Sequence, residues 1–177
     1  SSKLKASRSF TLVEMLVAVA LFSSVMLIAV GALLSLIDAN RKAQSLNSIM
    51  NNLNFALENM SRNLRVGTNY NCGSLVGGDC ALSGDSSIYF TTSLGKEMAY
   101  RFYNNRIQVS KNGGTFTYIT AEEVNIDDLT FFVKGSTLGD TLQPRVAIVL
   151  HGSAGNKERT KTKFNLQTMV SQRVLDL

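Results

Sequence analysis

Between Glu14 and Asp38 the chain runs for 23 consecutive residues without a charged side chain. As a helix rising about 1.5 Å per residue this stretch would be roughly 35 Å long, enough to cross a hydrocarbon core of about 30 Å. A cleaved secretory signal is the first alternative. Its apolar region is normally about 7–15 residues and ends at a small-residue cleavage site, and this run continues well beyond that length. It is therefore read as a membrane anchor. Lys3, Lys5 and Arg8 precede it. Basic residues stay preferentially on the cytoplasmic side, so the N-terminus is expected inside and the remainder exported, in a single pass through the cytoplasmic (inner) membrane.

The anchor also explains why the overall hydrophobic content of 45% misleads, since the apolar residues crowd towards one end of the 177-residue chain. What remains is enough for one modest domain and not for two. The net charge of +5 shrinks in the same way: without the three leader charges, 15 basic residues face 13 acidic ones. That balance is a poor footprint for nucleic acid. Cys72 and Cys80 are the only cysteines, and in an exported segment an even pair at short spacing reads as one disulfide closing a small loop. Two free thiols would be the reading in a reducing compartment. With one histidine and no further cysteine, no zinc site is expected.

Helical periodicity continues past the membrane edge. Leu46, Met50, Leu53, Leu57, Met60 and Leu64 recur at spacings of four and three, which makes one apolar stripe. The sole proline is Pro144, and Glu58 and Arg62 form an i,i+4 pair in the favourable order. One nearly continuous helix is expected over residues 10–66. Residues 67–86, rich in Gly, Ser and Asn and pinned by the cysteines, read as a loop and as the expected partner-recognition surface. Short β-branched and aromatic segments follow at 87–92, 98–103, 106–110, 115–119, 126–134, 145–151 and about 162–172. Asn104-Asn105 and Asn112-Gly113-Gly114 supply hairpin turns. Met98, Tyr100 and Phe102 alternate onto one face of a strand, and Val146, Ile148 and Leu150 onto one face of another. The expected fold class is therefore α+β, with a long N-terminal helix whose amphipathic half packs on an antiparallel sheet.

Immediately before the apolar run stands Ser9-Phe10-Thr11-Leu12-Val13-Glu14, behind a basic leader. This closely resembles the processing site of type IV pilins and pseudopilins. The resemblance implies a leader at 1–9, a transmembrane and assembly helix at 10–37, an amphipathic stem at 38–66 and a head at 67–177. It further implies that prepilin peptidase cuts between Ser9 and Phe10 and methylates the new amino group of Phe10. Ser9 stands where the family has glycine, a departure at the cut itself. A charged side chain at the middle of a membrane helix costs about 2.5–3.5 kcal/mol on insertion scales. In the family the carboxylate matching Glu14 is neutralised by the N-terminal ammonium of a neighbouring subunit, so that burial of the charge is coupled to filament assembly. The implied partners are other pilin or pseudopilin subunits, the peptidase and the assembly platform of the inner membrane. Gly31, mid-span, either loosens the helix by about 1 kcal/mol relative to alanine or marks close packing against a neighbouring helix. Residues 57–65 and 165–173 resemble the J-type minor pseudopilins and related minor pilins, whose subunits initiate or tip a filament.

Catalytic chemistry finds no constellation. His151 lies in a strand-like run without a triad around it, and no cofactor is implied. Asp79, Asp85, Asp127, Asp128 and Asp140 lack the spacing of a calcium loop. Arg159, Lys161 and Lys163 fall on one side of a strand and read as a basic edge that discourages strand pairing, with phosphate contact in a DNA-uptake pilus as the alternative.

Overall fold

The computed structural model describes residues 10–74, 78–137, 142–154 and 162–173. Ser9 and the other leader residues, Asp140, Arg159 and Lys161 lie outside these. The chain divides into two compact units, residues 1–43 and residues 44–177.

One helix, α1, spans Leu12–Arg65, within a residue or two of the stretch expected from periodicity. In the first unit its apolar side chains, from Leu12 to Ile37, are all solvent-exposed. Among the described residues it is the one helix long and apolar enough to cross a membrane. Ser24 returns its hydroxyl to the carbonyl of Ala20 at 2.9 Å, which satisfies a polar group that the apolar stretch could not otherwise pair. Nothing lies within 4 Å of a side chain built on Gly31.

In the second unit the buried line along α1 is Ile49, Leu53, Ala56, Met60 and Leu64. Leu46 and Leu57 pack at its margin. The buried centre is thus rotated slightly from the expected stripe and includes Ala56, whose small side chain lets the sheet approach. The Tyr70 hydroxyl lies within hydrogen-bond distance of the Leu64 and Gly67 carbonyls, and the Leu64 carbonyl also accepts Gly67 N–H at 3.3 Å, which closes the last turn of the helix. Gly67 fits tightly there, because a Cβ would stand 2.6 Å from the Phe90 ring.

Two antiparallel sheets follow, where a single one was expected. The first contains β1 (Thr68–Cys72), β2 (Ser87–Thr91), β3 (Glu97–Tyr103), β4 (Arg106–Lys111) and β5 (Thr117–Tyr118), in that spatial order. The second contains β6 (Asn125–Lys134), β7 (Arg145–Ala154) and β8 (Thr162–Ser171). Strand β1 corrects the expectation of an unbroken loop over residues 67–86. Its register with β2 slips between Thr68 and Asn71, and Asn69 adopts a φ of 53°. That bulge hides a two-residue alternation in which Tyr70 and Cys72 are buried. At the β3–β4 turn Asn104 and Asn105 have φ of 49° and 57°, the left-handed pair that a tight hairpin requires.

The sheets meet along the edge of β6. Asp85 and Phe131 exchange backbone hydrogen bonds at 2.9 and 2.7 Å, and Ile126 N–H donates to the Asn105 carbonyl at 2.9 Å. The inner rows of both sheets and the buried line of α1 belong to one hydrophobic cluster, which includes Tyr100, Ile107, Phe131, Ile148 and Leu150. The expected alternations hold, with Met98 and Tyr100 buried and Phe102 packed against the core, and with Val146, Ile148 and Leu150 all buried.

Candidate functional site

At the start of α1, Thr11 is the N-cap. Its carbonyl accepts the first helical bond from Met15 N–H at 3.2 Å, and its Oγ1 accepts the N–H of Glu14 at 3.3 Å. Threonine followed three residues later by glutamate is the spacing of a capping box, a signal present in the sequence that the reading above passed over. Its consequence is positional. Phe10 lies immediately before the cap and Glu14 occupies the first helical turn, where a carboxylate also faces the positive end of the helix dipole. Phe10 and Leu12 are about three-quarters exposed. Phe10 and the Glu14 carboxylate therefore sit at one capped helix end, with 23 uncharged residues following.

The second expected site is the cysteine loop. Cys72, at the end of β1, and Cys80 are joined by a disulfide with Cα atoms 6.1 Å apart. Cys80 N–H donates to the Val133 carbonyl at 3.0 Å, which ties this end of the loop to β6. Asp79 clips it further: Oδ2 accepts Gly135 N–H at 2.8 Å, and Oδ1 accepts the N–H and hydroxyl of Ser136 at 2.7 and 2.8 Å. Burial alone would raise the pKa of this carboxyl. The bonds from Ser136 and Gly135 and the nearby charge of Lys134 outweigh burial and hold it below the ordinary aspartate value. Leu82 in the same loop is fully exposed.

The remaining candidates scatter. His151 is exposed on β7 with Nδ1 2.8 Å from the Asn165 side-chain oxygen. Asp85 accepts the N–H and hydroxyl of Ser87 at 3.0 and 3.1 Å, Asp127 accepts from Asn125, and Asp128 from Thr130. Among the described residues no three His, Cys, Asp or Glu side chains come together as a metal site. Lys163 is exposed on β8, which is an edge strand. Residues 57–65 and 165–173 meet through the backbone, Arg173 N–H donating to the Arg65 carbonyl at 2.8 Å.

Comparison with known proteins adds a match at the capped helix end. Residues 4–30 match the family model described as the prokaryotic N-terminal methylation motif, the type IV pilin-like prepilin signal. No curated protein and no solved structure matches the chain. The motif supports a pilin-like subunit, and with the apolar start of α1 it supports anchoring in a membrane.

Proposed function

We propose that this chain is a minor pilin or pseudopilin that initiates or tips a type IV pilus-like or type II secretion filament. Prepilin peptidase cuts between Ser9 and Phe10, the amino group of Phe10 is methylated, and Glu14 pairs with the corresponding ammonium of an adjoining subunit. The observation that carries the proposal is the methylation motif at residues 4–30, placed so that the only carboxylate at that end of the apolar run lies in the first turn of α1. The physical argument is neutralisation. A lone carboxylate carried into the hydrocarbon is costly, and a cation from a neighbour removes that cost only on assembly. The head is then periplasmic or extracellular.

Mass spectrometry of the native N-terminus tests processing: a mature chain beginning at methylated Phe10 is expected, and working filaments built from the intact leader would refute it. Glu14→Ala is expected to insert in the membrane normally yet to reduce incorporation into filaments at least tenfold, read by shearing and immunoblot. Normal incorporation would remove the mechanism. Deleting the gene and scoring secretion, surface piliation and DNA uptake then separates the secretion role, preferred here on the likeness of residues 57–65 and 165–173 to the J-type subunits, from a pilus role.

A further inference from the structure

The outer face of the first sheet holds a cleft. Tyr89, Ala99 and Ser110 stand in one cross-strand row. The inner face is taken by Ile88, Phe90, Met98, Tyr100 and Val109, so this row points away from α1. Two of its three residues are small, and Ala99 and Ser110 are nevertheless each only 4% exposed, because the segment after β4 folds back over them. That segment is held by Ser110, whose hydroxyl donates to the Gly114 carbonyl at 2.7 Å. What remains is a hollow of about 190 Å³ lined by Tyr89, Phe116, Glu97, Ala99, Ser110 and Gly113 among others.

Its aromatic wall is preset. The Arg101 guanidinium lies 3.8 Å from the Phe116 ring centroid and 4.9 Å from that of Tyr103, while its Nε donates to Gln108 Oε1 at 2.8 Å. An arginine fixed at its other end in this way holds the ring it stacks on, so little ordering is left to be lost on binding. Glu97 also borders a second hollow, of about 410 Å³, on the α1 side of the sheet, lined by side chains that include Asn59, Asn63, Val66, Lys96 and Met98. Glu97 belongs to both.

The chemistry of the lining selects a ligand. Arg101 against Phe116, with Lys96 and Lys111 beside the larger hollow, disfavours a cation. Glu97 at the junction disfavours an anion. A wholly apolar group would leave the Glu97 carboxylate without exchange for the water it loses. A neutral polyhydroxylated ring meets all three conditions: its C–H face covers an aromatic ring, and its hydroxyls donate to a carboxylate in charge-assisted bonds. The smaller hollow is below the roughly 300 Å³ at which pockets for drug-sized ligands begin, which limits it to a single ring. We propose that this cleft binds a neutral pyranose. The inference rests on the head alone and is independent of the filament reading.

The test uses the full chain in a detergent that has no sugar headgroup. Saturation-transfer NMR is run with the methyl glycosides of glucose, galactose, mannose and N-acetylglucosamine. Saturable binding of at least one, roughly millimolar as suits a single small ring, is expected. Glu97→Ala, at an exposed position, is expected to weaken it at least tenfold, and Phe116→Ala likewise, while Lys163→Ala on the second sheet leaves it unchanged. Circular dichroism checks that the variants remain folded. Absence of saturable binding by every glycoside overturns the proposal, as does binding that both Glu97→Ala and Phe116→Ala leave intact. A cross-link in assembled filaments from Glu97→Cys into a neighbouring subunit, with no glycoside bound, would also overturn it by showing the cleft to be a protein contact.

Discussion

Tyr100 is among the largest fully buried side chains and carries a hydroxyl into the layer between helix and sheet. Its oxygen accepts from Asn63 Nδ2 at 2.7 Å and donates to Asn59 Oδ1 at 2.9 Å, and the two asparagines, one turn apart, bond each other at 3.1 Å. Burial pushes the phenol up to about 12, with the Asn63 amide drawing it down by less. A group whose folded pKa is raised adds stability that is complete below its unfolded pKa, near 10 for tyrosine, and that is lost as pH rises through the folded value. A shift of that size amounts to about 3 kcal/mol. Stability of the head should therefore fall between about pH 10 and pH 12, as chemical denaturation of the full chain in detergent would measure. Tyr100→Phe should flatten this alkaline limb while costing about 1–3 kcal/mol at neutral pH, because Asn59 and Asn63 lose a buried partner. The face on which Tyr100 lies was legible in the sequence but its partners were not, since Asn59 and Asn63 stand 41 and 37 positions from it and asparagines on a helix read as solvated. The place of Glu14 at the first turn of α1 was legible for the opposite reason: a carboxylate at the mouth of an uncharged run stands out without any tertiary contact.

At the scale of elements, α1 was readable because a stripe of apolar side chains records the helical period directly. What the stripe did not record was its depth. Ala56 lies at the centre of the contact with no exposure at all, and alanine carries little weight in a hydrophobic pattern even where it sets how closely two layers approach. Two substitutions separate approach from burial. Leu53→Ala removes a fully buried side chain and should cost about 2–5 kcal/mol. Ala56→Leu adds volume where none is free and should cost about 1–3 kcal/mol through displaced neighbours, even though it lengthens the apparent stripe. A stable Ala56→Leu variant in denaturant titration would mean that the layers are less closely packed than described. Strand β1 was missed for the matching reason on the sheet side, because its bulge at Asn69 breaks the alternation by which a strand is recognised in sequence, and polar Thr68, Asn69 and Asn71 outnumber its two buried residues. The hairpins at Asn104-Asn105 and Asn112-Gly113-Gly114 were readable because a turn states its own requirement for left-handed backbone.

Across the whole molecule, the division of the strands into two sheets is what the sequence did not announce, since alternation tells which face of a strand is buried but not which strand lies beside it. The segment that ties the sheets is the same one that looked like an unstructured loop. Cys72 belongs to β1 of the first sheet, while Cys80 and Asp79 are bonded to β6 and to the residues after it in the second. The disulfide is therefore a covalent strut between sheets otherwise joined by backbone bonds along one edge. By loop entropy, closing so short a ring is worth about 2–3 kcal/mol. Replacing both cysteines by serine should lower stability by about that amount and should speed amide exchange first at Val133, Gly135 and Ser136, with the α1 core last. Asp79→Ala should release Gly135 and Ser136 alone. The two causes part on acidification. A carboxyl held below its ordinary value contributes stability that is present above the unfolded pKa near 4 and is lost as pH falls through the lower folded value, whereas the disulfide has no such dependence. Exchange at Gly135 and Ser136 should accordingly rise in the parent chain below about pH 4 while Asp79→Ala stays flat. Equal acid sensitivity in both would remove Asp79 from the junction and leave the strut to the sulfur atoms.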